Sequence, residues 1–272
     1  MGFSMSIGAA QAAPVPVTES NVEIEMPDGK CDATLFQPAR GTHPGVLFWT
    51  DVFGKRPTTL DMGRRLASSG YVVLVPNPFY RISKAPQFDD VQHFNFADKA
   101  TRETRLEPLA RSIMNQTACA RDAVAYVSYL DSLPTVDKTK KIGTNGYCMG
   151  GSLVLRSAAA VPERIGAVGS FHGGWLVTDQ PDSPHLLAPK IHARVYVGIG
   201  SDDDRKQPEA KDKLRDAFAA AKVKAEIEVY PNSLHGWCIR DMPPNGNRAI
   251  YNQVDAEHSW QKLLALYKAA LV

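Results

Sequence analysis

Cys148 stands in the run Gly146-Tyr147-Cys148-Met149-Gly150, where residue types and spacing set out a nucleophile's needs. Lys141 to Tyr147 reads as a strand and Gly150 to Ala160 as a helix, so the cysteine sits at the apex of a strand–turn–helix. A turn this sharp strains the apical backbone, and bulky residues two positions to either side would clash. Glycine occupies both of those positions. Amides at the start of the following helix point toward the sulfur and favour negative charge there and on an oxyanion beside it. The bland alternative is a buried cysteine in a tight turn.

A nucleophile needs a base, and the base needs an orienting group. A predicted strand from Val195 to Ile199 runs into Ser201-Asp202-Asp203-Asp204, and one from Ile227 to Tyr230 runs toward His235-Gly236-Trp237. An acid and a histidine therefore follow the cysteine in chain order, each beyond the C-terminal end of a strand. His235 is the expected base. His172 also follows a strand but precedes the acid, so it is expected to be structural or on the pocket rim. His43, His93, His185, His192 and His258 have no comparable placement. Among the three aspartates, chain order alone makes no choice. The two not used as the acid are expected to be solvated or helix-capping.

The elements that must position these groups follow from periodicity. Val22 to Glu25 and Asp32 to Phe36 are short β-type runs with the turn signal Asp28-Gly29 between them. Gly45 to Trp49 and Tyr71 to Val75 are continuous apolar runs, as expected of strands buried on both faces. A helix over Leu60 to Ala67, stopped by Gly70, separates them. The polar stretch 81–116 reads as a lid-like excursion with some helix. Ala120, Ala123, Val124, Val127 and Leu130 share a helical face. Ile165 to Phe171 is a further strand. Helices are expected over about Glu209 to Ala221 and Val254 to Leu271, with a last strand at Ala225 to Tyr230. This alternation implies a mainly parallel central sheet with helices on both faces.

Composition sets the outer bounds. The 272 residues are 44% hydrophobic, enough for one sizeable core, and the formal net charge is +2. So mild a balance gives no footprint for nucleic acid or an anionic membrane, and no apolar run is long enough to span one. Cys31, Cys119, Cys148 and Cys238 match no zinc spacing and form no disulfide framework. Residues 1–18 read as a disordered lead or a truncated export-signal remnant, and residues 19–272 as a single domain. The myristoylation-like Met1-Gly2…Ser6 is discounted as a chance match. Cytoplasmic location is expected; if residues 1–13 are an export remnant, the protein is periplasmic or secreted.

From about Val22 to Leu271 the chain resembles the dienelactone hydrolase family of α/β-hydrolases. Gly146-Tyr147-Cys148-Met149-Gly150-Gly151 resembles the family's nucleophile motif, and Tyr230-Pro231 through His235-Gly236-Trp237 its histidine motif. Pro208-Glu209 is similar to the Pro-Glu that follows the family's aspartate, and aligning on it points to Asp203. Asp51-Val52-Phe53-Gly54 stands where the family has Glu-x-Phe-Gly, so Asp51 would be a shortened form of the acid that helps ionise the cysteine. The resemblance further implies an oxyanion hole formed by the Val52 and Met149 amides. Arg81, after Tyr80, would bind a substrate carboxylate, with Arg240, one position displaced from the family's second arginine, as its partner. Tyr80 and Trp237 would line the substrate site.

The activity implied is hydrolysis of an ester or lactone, with a preference for carboxylate-bearing substrates, and with neither metal nor organic cofactor. A monomer or homodimer is expected. The rivals are a broad carboxylesterase, a non-catalytic binding protein on a hydrolase scaffold, and a redox-sensing thiol with a resolving cysteine.

Overall fold

The structure, a computed structural model, describes residues 14–271. The expectations of an export remnant or a myristoylation site lie outside the described residues. The first strand, β1 (Val17–Met26), begins inside the segment expected as lead and turns through Pro27-Asp28 into β2 (Gly29–Pro38). Their pairing ends at Met26 and Gly29, and Gly29 has φ +131°, a backbone that side chains disfavour.

The apolar runs become β3 (Gly45–Trp49) and β4 (Val72–Pro76), every residue of which is buried. Helix α1 (Pro57–Ala67) lies between them, with proline in its first turn, where a missing N–H costs nothing. Then follow the short α2 (Lys99–Thr101), a π-helical turn (Arg102–Leu106), α3 (Glu107–Ile113) and α4 (Gln116–Ser132). β5 (Ile142–Tyr147) leads into α5 (Met149–Ala160), followed by β6 (Ile165–Phe171) and β7 (Arg194–Gly200). The remaining elements are α6 (Ser201–Lys206), α7 (Ala210–Ala220), β8 (Ala225–Tyr230) and α8 (Gln253–Ala270).

The strands form one sheet in the order β1-β2-β4-β3-β5-β6-β7-β8. β1–β2 and β2–β4 are antiparallel and all later pairs are parallel. One apolar core joins the sheet to α4, α5 and α7 through Tyr126, Leu153 and Phe218; another joins it to α1 and α8 through Leu66 and Leu263. Covering both faces makes the parallel strands apolar throughout. β5 nevertheless carries Thr144 and Asn145. Thr144 Oγ1 donates to Leu47 C=O and Tyr267 of α8 donates to Asn145 Oδ1, each at 2.9 Å, while Asn145 Nδ2 has no partner among the described residues.

The 81–116 excursion is pinned to the fold by aromatics. Phe88, Phe94 and Phe96 pack against Phe53 at 5.3, 5.2 and 5.6 Å between ring centroids. Among the described residues, no helix is long and apolar enough to cross a membrane.

Candidate active site

β5 ends at Tyr147 and α5 starts at Met149, so Cys148 makes the whole turn, with φ 53° and ψ −114°. A side-chain-bearing residue is strained in that conformation and must be held by its surroundings. Its N–H donates to Phe171 C=O at 3.1 Å and to Nδ1 of His172 at 3.0 Å, and its C=O accepts from Gly151 and Gly174, each at 3.0 Å. Close backbone packing explains the glycines: a Cβ on Gly146 would lie 2.2 Å from Gly150 O, and one on Gly150 2.5 Å from Thr50 O.

His172 is therefore an elbow strut. It is fully buried, and burial holds its pKa well below the ordinary histidine value, with the nearby charge of His235 adding to the effect.

His235 follows β8 and meets the segment that follows β7. Its Nδ1 lies 2.9 Å from Oδ2 of Asp203. Asp202 accepts the His235 backbone N–H at 2.7 Å, and Asp204 pairs with Lys211 at 2.7 Å. The three aspartates thus have three separate tasks, and where a solvated or helix-capping carboxylate is expected, Asp202 holds the His235 backbone and Asp204 pairs with Lys211. Ser201 N–H to Ser233 C=O at 2.8 Å ties the two segments together. Burial alone would lower the His235 pKa. The charge on Cys148, hydrogen bonds to Asp203 and Cys148, and the Asp203 charge outweigh it and raise that pKa well above the ordinary value.

Cys148 is the partly exposed thiol of the four free cysteines; Cys31, Cys119 and Cys238 are buried. Burial pushes the Cys31 and Cys119 thiols up to about 12, which keeps them protonated and inert.

The loop after β3 lies against the elbow, as the contact of Gly150 with Thr50 requires. Among the described residues, neither the Val52 nor the Met149 N–H has a protein acceptor. Next to Val52 in the chain, Asp51 accepts Phe53 N–H at 2.9 Å and two guanidinium bonds from Arg56, at 2.7 and 2.9 Å. It makes no hydrogen bond to Cys148. The residue expected as the thiol-ionising acid is one of two carboxylates paired with the buried Arg56.

The four residues expected at the substrate are placed as follows. Arg81, expected to receive a substrate carboxylate, makes two bonds to the buried Asp122, at 2.8 and 2.7 Å, and one to Asp28 at 2.8 Å. Tyr80 donates to the same Asp122 at 2.9 Å, so both residues are tied to α4. Trp237, expected on the substrate surface, is fully buried, stacked on Tyr230 and edge-on to His172. Arg240 lines a cavity of about 250 Å³ with Tyr147, Cys238, Arg65, Tyr251 and Trp260, and Cys148 is not among its lining residues. Sequence reasoning missed Arg56 and Asp241, because contacts across 185 positions leave no local signal. Among the described residues, no group of three or more histidine, cysteine or carboxylate side chains could hold a metal ion.

The sheet order, the strained cysteine between β5 and α5, and the carboxylate and histidine beyond β7 and β8 define an α/β-hydrolase. Residues 31–271 match the dienelactone hydrolase family, and the chain belongs to that family of hydrolases. It is 27% identical to the carboxymethylenebutenolidase of Rhodococcus opacus, over 85% of this chain and 83% of that one. A solved Klebsiella pneumoniae structure, provisionally named a dienelactone hydrolase, superposes with TM-score 0.76 at 23% identity, covering 93% of this chain and 99% of that one. A dienelactone hydrolase-like promiscuous phosphotriesterase from metagenomic libraries gives 0.72 at 21% identity, with 94% and 99% covered.

Proposed function

We propose that this protein hydrolyses carboxylic esters or lactones through a covalent thioester on Cys148. The observation that carries the reading is the Asp203 carboxylate 2.9 Å from Nδ1 of His235, beside a Cys148 held in a strained turn at the start of α5. Asp203 fixes the ring through Nδ1 and leaves Nε2 to act as the base for Cys148. The thiolate attacks the carbonyl carbon, a C–S bond forms, and the carbonyl π pair moves onto oxygen. The Val52 and Met149 N–H groups receive that oxyanion. As the tetrahedral species collapses, the C–O bond breaks and His235 gives its proton to the departing alkoxide. Water then attacks the thioester while His235 takes a proton from it, and the thiolate leaves.

Similarity to the Rhodococcus enzyme, by its name, supports lactones of the carboxymethylenebutenolide type as substrates. A second reading, a broad carboxylesterase, draws support from Arg81, whose guanidinium is already engaged by Asp122 and Asp28. The proposed compartment is the cytoplasm, supported by four unpaired thiols. A panel of p-nitrophenyl esters, neutral lactones and carboxylate-bearing lactones, run with wild type and Cys148→Ala, tests the proposal. Hydrolysis should vanish in the variant while the fold persists; full activity there would sink the mechanism.

A further inference from the structure

Arg56 closes the loop after β3, just before Pro57 opens α1, and only 3% of its side chain is exposed. Nε and Nη2 each reach Asp241 at 2.8 Å, Nη1 and Nη2 reach Asp51 at 2.7 and 2.9 Å, and Nη1 also donates to Gly54 C=O at 3.2 Å. The planar donor fork of arginine is thereby filled on both sides. Asp51 opens the loop that carries Val52, and Asp241 lies in the segment that follows His235. One buried cation therefore joins the two loops that frame Cys148.

The Val52 peptide depends on that joint. Asp51 Oδ1 accepts Phe53 N–H at 2.9 Å, and Asp51 C=O accepts Gly54 N–H at 3.0 Å. These two bonds close a turn around Val52 and set where its N–H points. The Asp51 carboxylate can shape the turn only while it is itself held, and Arg56 is what holds it.

We propose that Arg56 is a positioning residue for ester hydrolysis, keeping the Val52 N–H in register with Cys148 and His235 by bridging Asp51 and Asp241. The proposal rests on the Cys148 reading above. In it Asp51 is a strut for the oxyanion loop, not a proton acceptor for the thiol.

The test separates oxyanion stabilisation from thiol reactivity. Alkylation of Cys148 by iodoacetamide, mapped by mass spectrometry, needs a reactive sulfur but no oxyanion donor. Hydrolysis of p-nitrophenyl acetate needs both. In folded Arg56→Met, kcat/KM should fall about 100-fold, mainly through kcat, as expected for a donor displaced by about an ångström. The alkylation rate and its pH profile should stay as in wild type. Arg56→Lys should recover part of the loss, because an ammonium cannot bridge both carboxylates bidentately. If Arg56→Met does not fold, Asp241→Asn decides, with a loss of about tenfold expected in hydrolysis and none in alkylation. Unchanged hydrolysis in the folded variant would overturn the proposal. So would an equal loss in both reactions with a shifted alkylation profile, which would make the pair a thiol activator. Failure of the Cys148 reading is distinct: hydrolysis would then survive Cys148→Ala whatever Arg56 does.

Discussion

Asp202 Oδ1 accepts the backbone N–H of His235 at 2.7 Å, while the adjacent Asp203 takes the ring of the same histidine. One carboxylate holds the main chain and the next holds the imidazole. Asp203→Ala should lower kcat/KM by at least about 100-fold, the usual scale for losing an oriented acid–base group. Asp202→Ala should cost about 1–3 kcal/mol of stability by orphaning a partly buried donor, with a smaller loss of activity. Asp204→Ala should leave turnover close to wild type, since Asp204 serves Lys211. Steady-state kinetics and urea unfolding of the three variants check this order.

The two active-site histidines should act on stability with opposite signs. His172 has its folded pKa held well below the 6.5 of an unfolded histidine. As pH falls below about 6.5, the unfolded chain binds a proton that the native chain does not, and stability drops by up to about 1.4 kcal/mol per pH unit. His235 has its folded pKa raised, so its contribution is full below about 6.5 and is lost as pH rises through the folded value. Urea unfolding of His172→Phe against wild type between pH 5 and 7 should show a shallower acid-side decline. An identical slope in both proteins would refute the assignment.

The elbow glycines invert the usual helix rule. Glycine to alanine in a helix normally stabilises by about 1 kcal/mol. Gly150→Ala should instead destabilise by about 3 kcal/mol or more, because its Cβ would sit 2.5 Å from the backbone oxygen of Thr50. Thermal melts of the variant measure this directly.

The fold was legible wherever a local pattern reports burial. Val72–Pro76 and Gly45–Trp49 are apolar because both faces of the sheet are covered, and the strained turn at Cys148 requires its glycines. The choice of Asp203 came from the resemblance and not from spacing, and three neighbouring aspartates differ only in which way each points. Arg81, Trp237 and Asp51 show the limit. Their neighbours, Asp122, His172 and Arg56, decide how each is engaged; the first two pairs meet only in the tertiary structure, and the third, five residues apart, carries no pattern that marks it as an ion pair.

Arg81 provides a test that separates packing from recognition. Its partner Asp122 is fully buried, so Arg81→Met should cost about 3–5 kcal/mol by stranding that carboxylate. The ratio of kcat/KM for carboxylate-bearing over neutral lactones should remain unchanged in the variant. A selective loss for the carboxylate-bearing lactones would return Arg81 to the substrate site and favour the narrower specificity.

The central claim is a covalent acyl group on one particular sulfur. Acid quenching of the protein during turnover of p-nitrophenyl acetate, followed by peptide mass spectrometry, measures it most directly. An acetyl thioester on the Cys148 peptide, formed at the rate of the nitrophenol burst and lost on standing at neutral pH, is the predicted result. Turnover with no adduct on Cys148, or with the acetyl group on another residue at a kinetically competent rate, would contradict it.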